Sequence, residues 1–290
     1  MKGIPKKWIY LIVLSIVWGS SFILIKKSLV GLTPLQLGSL RVLFAAIFLL
    51  IAGYSKLKTI QKKDWKWIII SALLGTFIPV FLFAFAETEI DSAIASILNS
   101  TTPIMALIAG ALVFSIGFTR NQFVGVIVGL FGSLLLIWSG SNLNPDQNYW
   151  YAGLVLIASI CYAFNVNIIK RHLQNIPALT IAVGNFVVLI IPAILVLIFS
   201  DFFSEALITD RSIHISIGYL TILALVGTGV AKVMFNKLVQ LSTPVFSTSV
   251  TYLIPIVALL WGVLDGEKFT IIQLGAGGII LLGVLLSNKS

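Results

Sequence analysis

The chain has 290 residues, of which 59% are hydrophobic and only 10% charged, with a mean hydropathy of +1.08. A soluble domain of that length carries roughly 25% charged residues, so composition excludes an ordinary soluble protein. The net charge of +9 does not read as a nucleic-acid surface, which needs Lys and Arg clustered on one solvated face among aromatics; here they flank apolar runs.

The start, MKGIPKK, leads into an apolar run that continues to Ile25. That run exceeds the core of a secretory signal and has no small-residue cleavage site, so it reads as an uncleaved first helix. Cutting at charges, prolines and polar clusters predicts helices 1 to 5 over 8–29, 35–53, 65–86, 92–115 and 121–140. Helices 6 to 10 follow over 149–173, 178–199, 214–237, 244–264 and 271–287. Each span needs ~20 predominantly apolar residues, so the expected fold is an all-α polytopic membrane protein of ten transmembrane helices with no room for a soluble domain. The single Cys161 lies within helix 6 without a CxxC partner, and neither a metal nor a cofactor is implied.

Short cytoplasmic loops retain Lys and Arg. With a cytoplasmic N-terminus, thirteen basic residues fall inside, among them Lys2, Lys6, Lys7, the cluster from Lys56 to Lys66, Arg120, Lys170, Arg171, Lys237 and Lys289. Only Lys26, Lys27, Arg211 and Lys268 fall outside, while Arg41 and Lys232 lie within helices. The acids fall on the outer side, Asp146 and Glu205 included, except Asp64. Six of the seven Trp sit near helix ends, where amphipathic rings favour the interface; Trp18 is mid-helix. The protein is expected in the cell membrane with both termini cytoplasmic.

An internal repeat is visible. Leu74-Gly75-Thr76 with Pro103 matches Val226-Gly227-Thr228 with Pro255 at a spacing of 152, and Phe118-Thr119 matches Phe269-Thr270 at 151, as Gln122 matches Gln273 and Gly132 matches Gly283. FILIKKSL from Phe22 resembles VNIIKRHL from Val166, and Pro34 matches Pro177. Five spans per half is an odd number, so the second copy enters the membrane from the opposite face: two inverted five-helix repeats, an arrangement in which transporters place substrate near the midplane.

WGSSF (Trp18 to Phe22), LRVLFAA (Leu40 to Ala46) and YLIPIVALLWGVLDGEKFTIIQLGAGGIILLGVLL (Tyr252 to Leu286) resemble the EamA domain family of the drug/metabolite transporter superfamily. The resemblance covers nearly the whole chain as two consecutive domains, 1–140 and 149–290. It implies ten helices, cytoplasmic termini and movement of metabolites such as amino acids, without identifying the substrate. An Arg at the place of Arg41 is frequent in that family. The first half departs from the pattern, with Ser115-Ile116-Gly117-Phe118-Thr119 where the second has Gly266-Glu267-Lys268-Phe269-Thr270.

Polar side chains in a span avoid lipid and are the candidates for a site. Ser96, Asn99 or Ser100, and Pro103 share one face of helix 4; Thr248, Thr251 or Tyr252, and Pro255 are their counterparts in helix 9. Such faces serve a cavity or hydrogen bonds between helices. Pro103 and Pro255 break the helical ladder, for gating or a simple kink. Trp18 and Phe22 correspond to Tyr162 and Val166 in helix 6, beside Asn165 and Asn167; an aromatic wall suits an amphipathic metabolite and equally suits core packing. Arg41 and Lys232 are costly in a membrane, hence functional candidates, yet near enough to the ends to snorkel. If Lys232 touches the ligand, a carboxylate or phosphate follows. The expected substrate-binding set is Trp18, Asn99, Tyr162, Asn165, Lys232, Asn236, Thr248 and Tyr252, around a central cavity gated at Pro103 and Pro255. Gly125, Gly129 and Gly132 in helix 5, and Gly275, Gly277, Gly278 and Gly283 in helix 10, permit packing or a homodimer contact.

These readings point to a transporter of small metabolites, amino-acid-like or amphipathic, exporting by alternating access, with a small-molecule substrate and the lipid bilayer as partners. A receptor or scaffold is the alternative, and leaves the repeat unexplained. An intramembrane enzyme needs placed acids, bases or metal ligands, whereas His172 and His214 lie at helix ends and no Asp or Glu lies within a span.

Overall fold

The structure, a computed structural model, describes residues 6–114, 119–143, 147–203, 210–267 and 270–288. Lys2, Ser115, Ile116, Gly117, Phe118, Asp146, Glu205, Lys268, Phe269 and Lys289, to which the sequence gives places, lie outside the described residues, as does the Gln122 side chain.

Among the described residues every regular element is helical. The order is α1 (Lys6–Ser28), α2 (Pro34–Gly53), α3 (Lys62–Ala72), α4 (Ile78–Ala86), α5 (Ser92–Asn99), α6 (Thr102–Phe114) and α7 (Arg120–Leu143). It continues with α8 (Ala152–His172), α9 (Ala178–Ile198), α10 (Arg211–Ile222), α11 (Ala231–Leu241), α12 (Pro244–Thr248), α13 (Ile254–Leu264) and α14 (Ile271–Asn288). Eight helical stretches of described residues are long and apolar enough to cross a membrane, and a shorter apolar stretch covers Ile271–Gly283.

Local chemistry sets the helix starts. Thr33 Oγ1 accepts from the Gln36 amide at 3.3 Å while Gln36 Oε1 accepts from the Thr33 amide at 3.0 Å, with Pro34 opening α2. This reciprocal cap satisfies two amides that the first turn leaves free. Thr270 and Gln273 repeat it ahead of α14.

Four predicted spans are interrupted rather than uniform. A π turn, Leu73–Phe77, joins α3 to α4, and a longer one, Leu223–Val230, joins α10 to α11; each contains the repeated Gly-Thr pair. Ser100 and Thr101 separate α5 from α6, and a 3-10 turn, Ser249–Tyr252, separates α12 from α13. Pro103 and Pro255 therefore stand in the first turn of a new helix, where a missing amide costs nothing, and not inside a continuous one.

Apolar side chains do not drive helices together in lipid, so close packing must. A Cβ on Gly283 would lie 2.4 Å from the Gly129 nitrogen, which places α14 in backbone contact with α7. The helices α4 and α6 pack on α8, α2 packs on α9, and α1 packs on α10 and α13, so the two halves are interleaved. Two apolar clusters share Trp18 at their margins, one including Phe22, Phe83 and Ile254, the other Val166, Phe235 and Val250.

Candidate functional site

Where those clusters meet lies a cavity of about 110 Å³, walled by residues of both halves. An engineered cavity of about 150 Å³ accepts benzene, so this one is on the scale of a small metabolite.

The π turns contribute Gly75, Thr76, Gly227 and Thr228 to its wall. A π turn widens the ladder from i+4 to i+5 and recurs at functional sites. Trp18 Nε1 donates to the Gly227 carbonyl at 3.0 Å, and Lys232 Nζ donates to the Gly75 carbonyl at 2.8 Å. Each glycine is thus met by a side chain from the opposite half. A Cβ on Gly227 would fall 2.7 Å from Ser21 Oγ, and one on Gly75 would fall 2.5 Å from Asn165 Cγ. Ser21 and Asn165 occupy corresponding places, each one residue ahead of the matched stretches FILIKKSL and VNIIKRHL. The same glycine device therefore operates twice, each time across the halves.

The helix breaks also meet. Ser100 Oγ donates to the Thr251 carbonyl at 2.8 Å, and Ser15 Oγ donates to the Val250 carbonyl at 3.2 Å. Those serines satisfy carbonyls that the 3-10 turn presents. Thr102 Oγ1 holds Asn99 through the Asn99 carbonyl at 2.7 Å and its Oδ1 at 3.2 Å.

Of the expected binding residues, Trp18, Asn99, Tyr162, Asn165, Lys232 and Thr248 line this cavity. Asn236 and Tyr252 are not among its lining residues. The Asn236 amide donates to the Ala178 carbonyl at 3.3 Å, and Tyr252 packs against the apolar cluster around Ile254. Neither Pro103 nor Pro255 touches the cavity. Sequence reasoning did not place Ser21, Thr76 or Thr102 on the wall; nothing distinguishes them from helix-bonding hydroxyls before the π turns are known.

The two basic residues do not snorkel. Arg41 is 9% exposed and Lys232 6%, and both line the cavity. Arg41 Nε donates to Thr228 Oγ1 at 2.7 Å. Interior acceptors hold both groups away from the helix ends.

A second polar cluster sits at the end of the molecule away from the N-terminus. Gly266, at φ +87, closes α13 with two bonds, Glu267 N to the Gly262 carbonyl at 2.9 Å and Gly266 N to the Val263 carbonyl at 3.1 Å. This cap needs a left-handed residue that glycine adopts freely, and it turns Glu267 back over the bundle. The Glu267 side chain is 1% exposed and takes Lys26 Nζ at 2.8 Å, Ser92 Oγ at 2.7 Å and the Ser92 amide at 3.3 Å. Lys26 also pairs with Asp265 at 2.9 Å, and Lys27 pairs with the other Asp265 oxygen. Partial burial would raise the Asp265 carboxyl, but Lys27 and Lys26 hold it below the usual range.

Glu87, placed by the sequence at a helix end, is buried, and neither carboxylate oxygen has a hydrogen-bond partner among the described residues. Burial pushes its carboxyl well above the ordinary range, the charge of Glu267 adds to that, and Arg41 and Lys26 oppose it.

The EamA-like transporter family model matches residues 6–138 and again 149–289. The chain belongs to the EamA-like transporter family. It is similar to the uncharacterized inner membrane transporter YedA of Escherichia coli K12, at 30% identity over 95% of this chain and 88% of that one. It is also similar to a probable amino-acid metabolite efflux pump of Salmonella typhimurium LT2, at 26% identity over 94% of this chain and 91% of that one. A solved crystal structure shares the fold, with a TM-score of 0.69 at 15% identity, over 98% of this chain and 96% of that one. The chain is accordingly a multi-pass membrane transporter.

Proposed function

We propose that the chain spans the membrane ten times with both termini cytoplasmic, as inverted repeats over 1–140 and 149–290, and exports small amino-acid-like or amphipathic metabolites by alternating access at the cavity between them. The observation that carries this reading is the reciprocal crossing of the halves, Trp18 onto Gly227 and Lys232 onto Gly75. Repeats joined this way rock about a fixed central site. The breaks ahead of Pro103 and Pro255 supply hinges, since few backbone bonds cross them. Export of amino-acid-like compounds is supported by the name of the Salmonella relative. A homodimer would use the open positions Gly275 and Gly278, which meet nothing within 4 Å, because Gly125, Gly129 and Gly283 face one another within the chain.

Reconstituted protein should carry labelled metabolites from such a panel across vesicle membranes. Lys232→Met should lower the flux at least tenfold while the protein still inserts and elutes as a folded species. Undiminished flux in that variant would remove the cavity from the mechanism.

A further inference from the structure

Two cations line the cavity, and among the described residues no Asp or Glu does. Their hydrogen bonding is incomplete. Lys232 spends one donor on the Gly75 carbonyl, and an ammonium has three; Arg41 spends Nε on Thr228 Oγ1, and a guanidinium has five N–H donors. Those are the bonds these two groups make to described residues. A charge left in a low-dielectric interior without a counter-ion is strongly disfavoured, and a ligand that supplies negative charge relieves that cost at both groups.

The nearest candidate inside the protein does not. Glu87 interacts with Arg41 through charge but makes no ion pair with it and is absent from the cavity wall. Its unpartnered, buried carboxyl is also driven toward the neutral form. Glu267, the other buried carboxylate near this end, is committed to Lys26 and Ser92.

The same wall carries aromatic rings. Trp18 lies 5.1 Å from Phe235, Phe22 lies 5.6 Å from Phe83, and Phe83 lies 6.1 Å from Tyr162 between ring centroids. Such a surface takes a ring or another apolar body, while a planar guanidinium and an ammonium recognise an oxyanion. An additional ammonium on the ligand would enter a site already holding two positive charges, with no carboxylate on the wall to receive it.

We propose that the cavity selects small organic anions, an apolar or aromatic body bearing a carboxylate held between Arg41 and Lys232, over zwitterions, neutral compounds and cations of the same shape. This rests on the transporter reading above and narrows it, since amino acids as zwitterions become the poorer ligands.

Four probes with one aromatic body separate the cases at pH 7: phenylacetate, phenylalanine, phenylacetamide and phenethylamine. Binding to the purified full-length protein is measured by calorimetry, and flux by counterflow in proteoliposomes. Phenylacetate should bind at least tenfold more tightly than the other three. Arg41→Gln and Lys232→Met should each abolish that preference, and Lys232→Arg should keep it. If either neutralising variant fails to fold, the wild-type ranking and Lys232→Arg still decide. Binding of phenylalanine, the amide or the amine as tight as phenylacetate, or binding of none of the four, overturns the proposal. Flux of the uncharged or cationic probes would overturn it while leaving a transporter, whereas selective binding of phenylacetate with no flux of any metabolite would leave the anion site and remove the transporter reading.

Discussion

At the end of α1, Lys26 and Lys27 meet Asp265 and Glu267. At the end of α8 their repeat counterparts meet backbone instead: Lys170 Nζ donates to the Ser242 carbonyl at 2.7 Å, and Arg171 donates to the Phe114 carbonyl at 3.2 Å. Phe114 stands 151 positions before Asp265, so Arg171 reaches the place that corresponds to the partner of Lys27 and finds a carbonyl there. One frame is thus closed by an ion-pair cluster at the end away from the N-terminus and by neutral acceptors at the opposite end. Both ends use basic residues at a helix C-terminus, where the free carbonyls and the helix dipole favour them. Only the end away from the N-terminus adds a carboxylate that is almost wholly buried and also holds the start of α5 through Ser92.

The largest effect should come from Glu267→Ala. It leaves Lys26 without its closest partner and frees Ser92 and the first amides of α5; hydrogen bonds to a charged group contribute about 1.5–3 kcal/mol each. With Lys26 partly exposed, a net loss of about 2–3 kcal/mol is expected, read as a lower unfolding midpoint in detergent. The mirrored change, Arg171→Ala, removes one exposed bond and should cost about 0.5 kcal/mol. Equal losses would erase the distinction between the ends.

At acid pH the smallest effect should come from Glu87→Gln. A carboxyl raised above its unfolded value stabilises the fold at low pH, and that contribution is lost as pH rises through the raised value. Below about pH 4, where folded and unfolded chains both hold the proton, the variant should therefore unfold within about 0.5 kcal/mol of the parent. Above that window it should be the more stable of the two. A wild-type protein that gains stability relative to Glu87→Gln as pH rises would mean that Glu87 is an ionised partner of Arg41.

Much of this frame was legible in the sequence because hydropathy and charge spacing act locally. The Gly75 and Gly227 matches, read in the sequence as signs of a repeat, mark two of the places where the halves touch. What escaped was phase. Tyr252 shares a face with Thr248 only if the helix is α-helical between them. In the 3-10 turn each residue advances about 120° instead of about 100°, so four steps displace Tyr252 by about 80° from the expected face. Arg41 and Lys232 read as residues able to snorkel because their acceptors, Thr228 and the Gly75 carbonyl, lie in the other half of the chain. Glu87 read as an end residue because span edges carry no sign of the layer that Lys26, Asp265 and Glu267 build above it.

The central proposal, alternating access to the cavity between the halves with the Glu267 ion-pair cluster closing the end away from the N-terminus, is tested most directly by thiol labelling. In a Cys161→Ala background, Ser21→Cys puts the sole thiol on the cavity wall. A membrane-impermeant methanethiosulfonate applied from outside should label it slowly. Adding Glu267→Ala should raise that rate at least tenfold, and adding Arg171→Ala should not. Rapid outside labelling with Glu267 in place, or equal acceleration by both changes, would contradict the account.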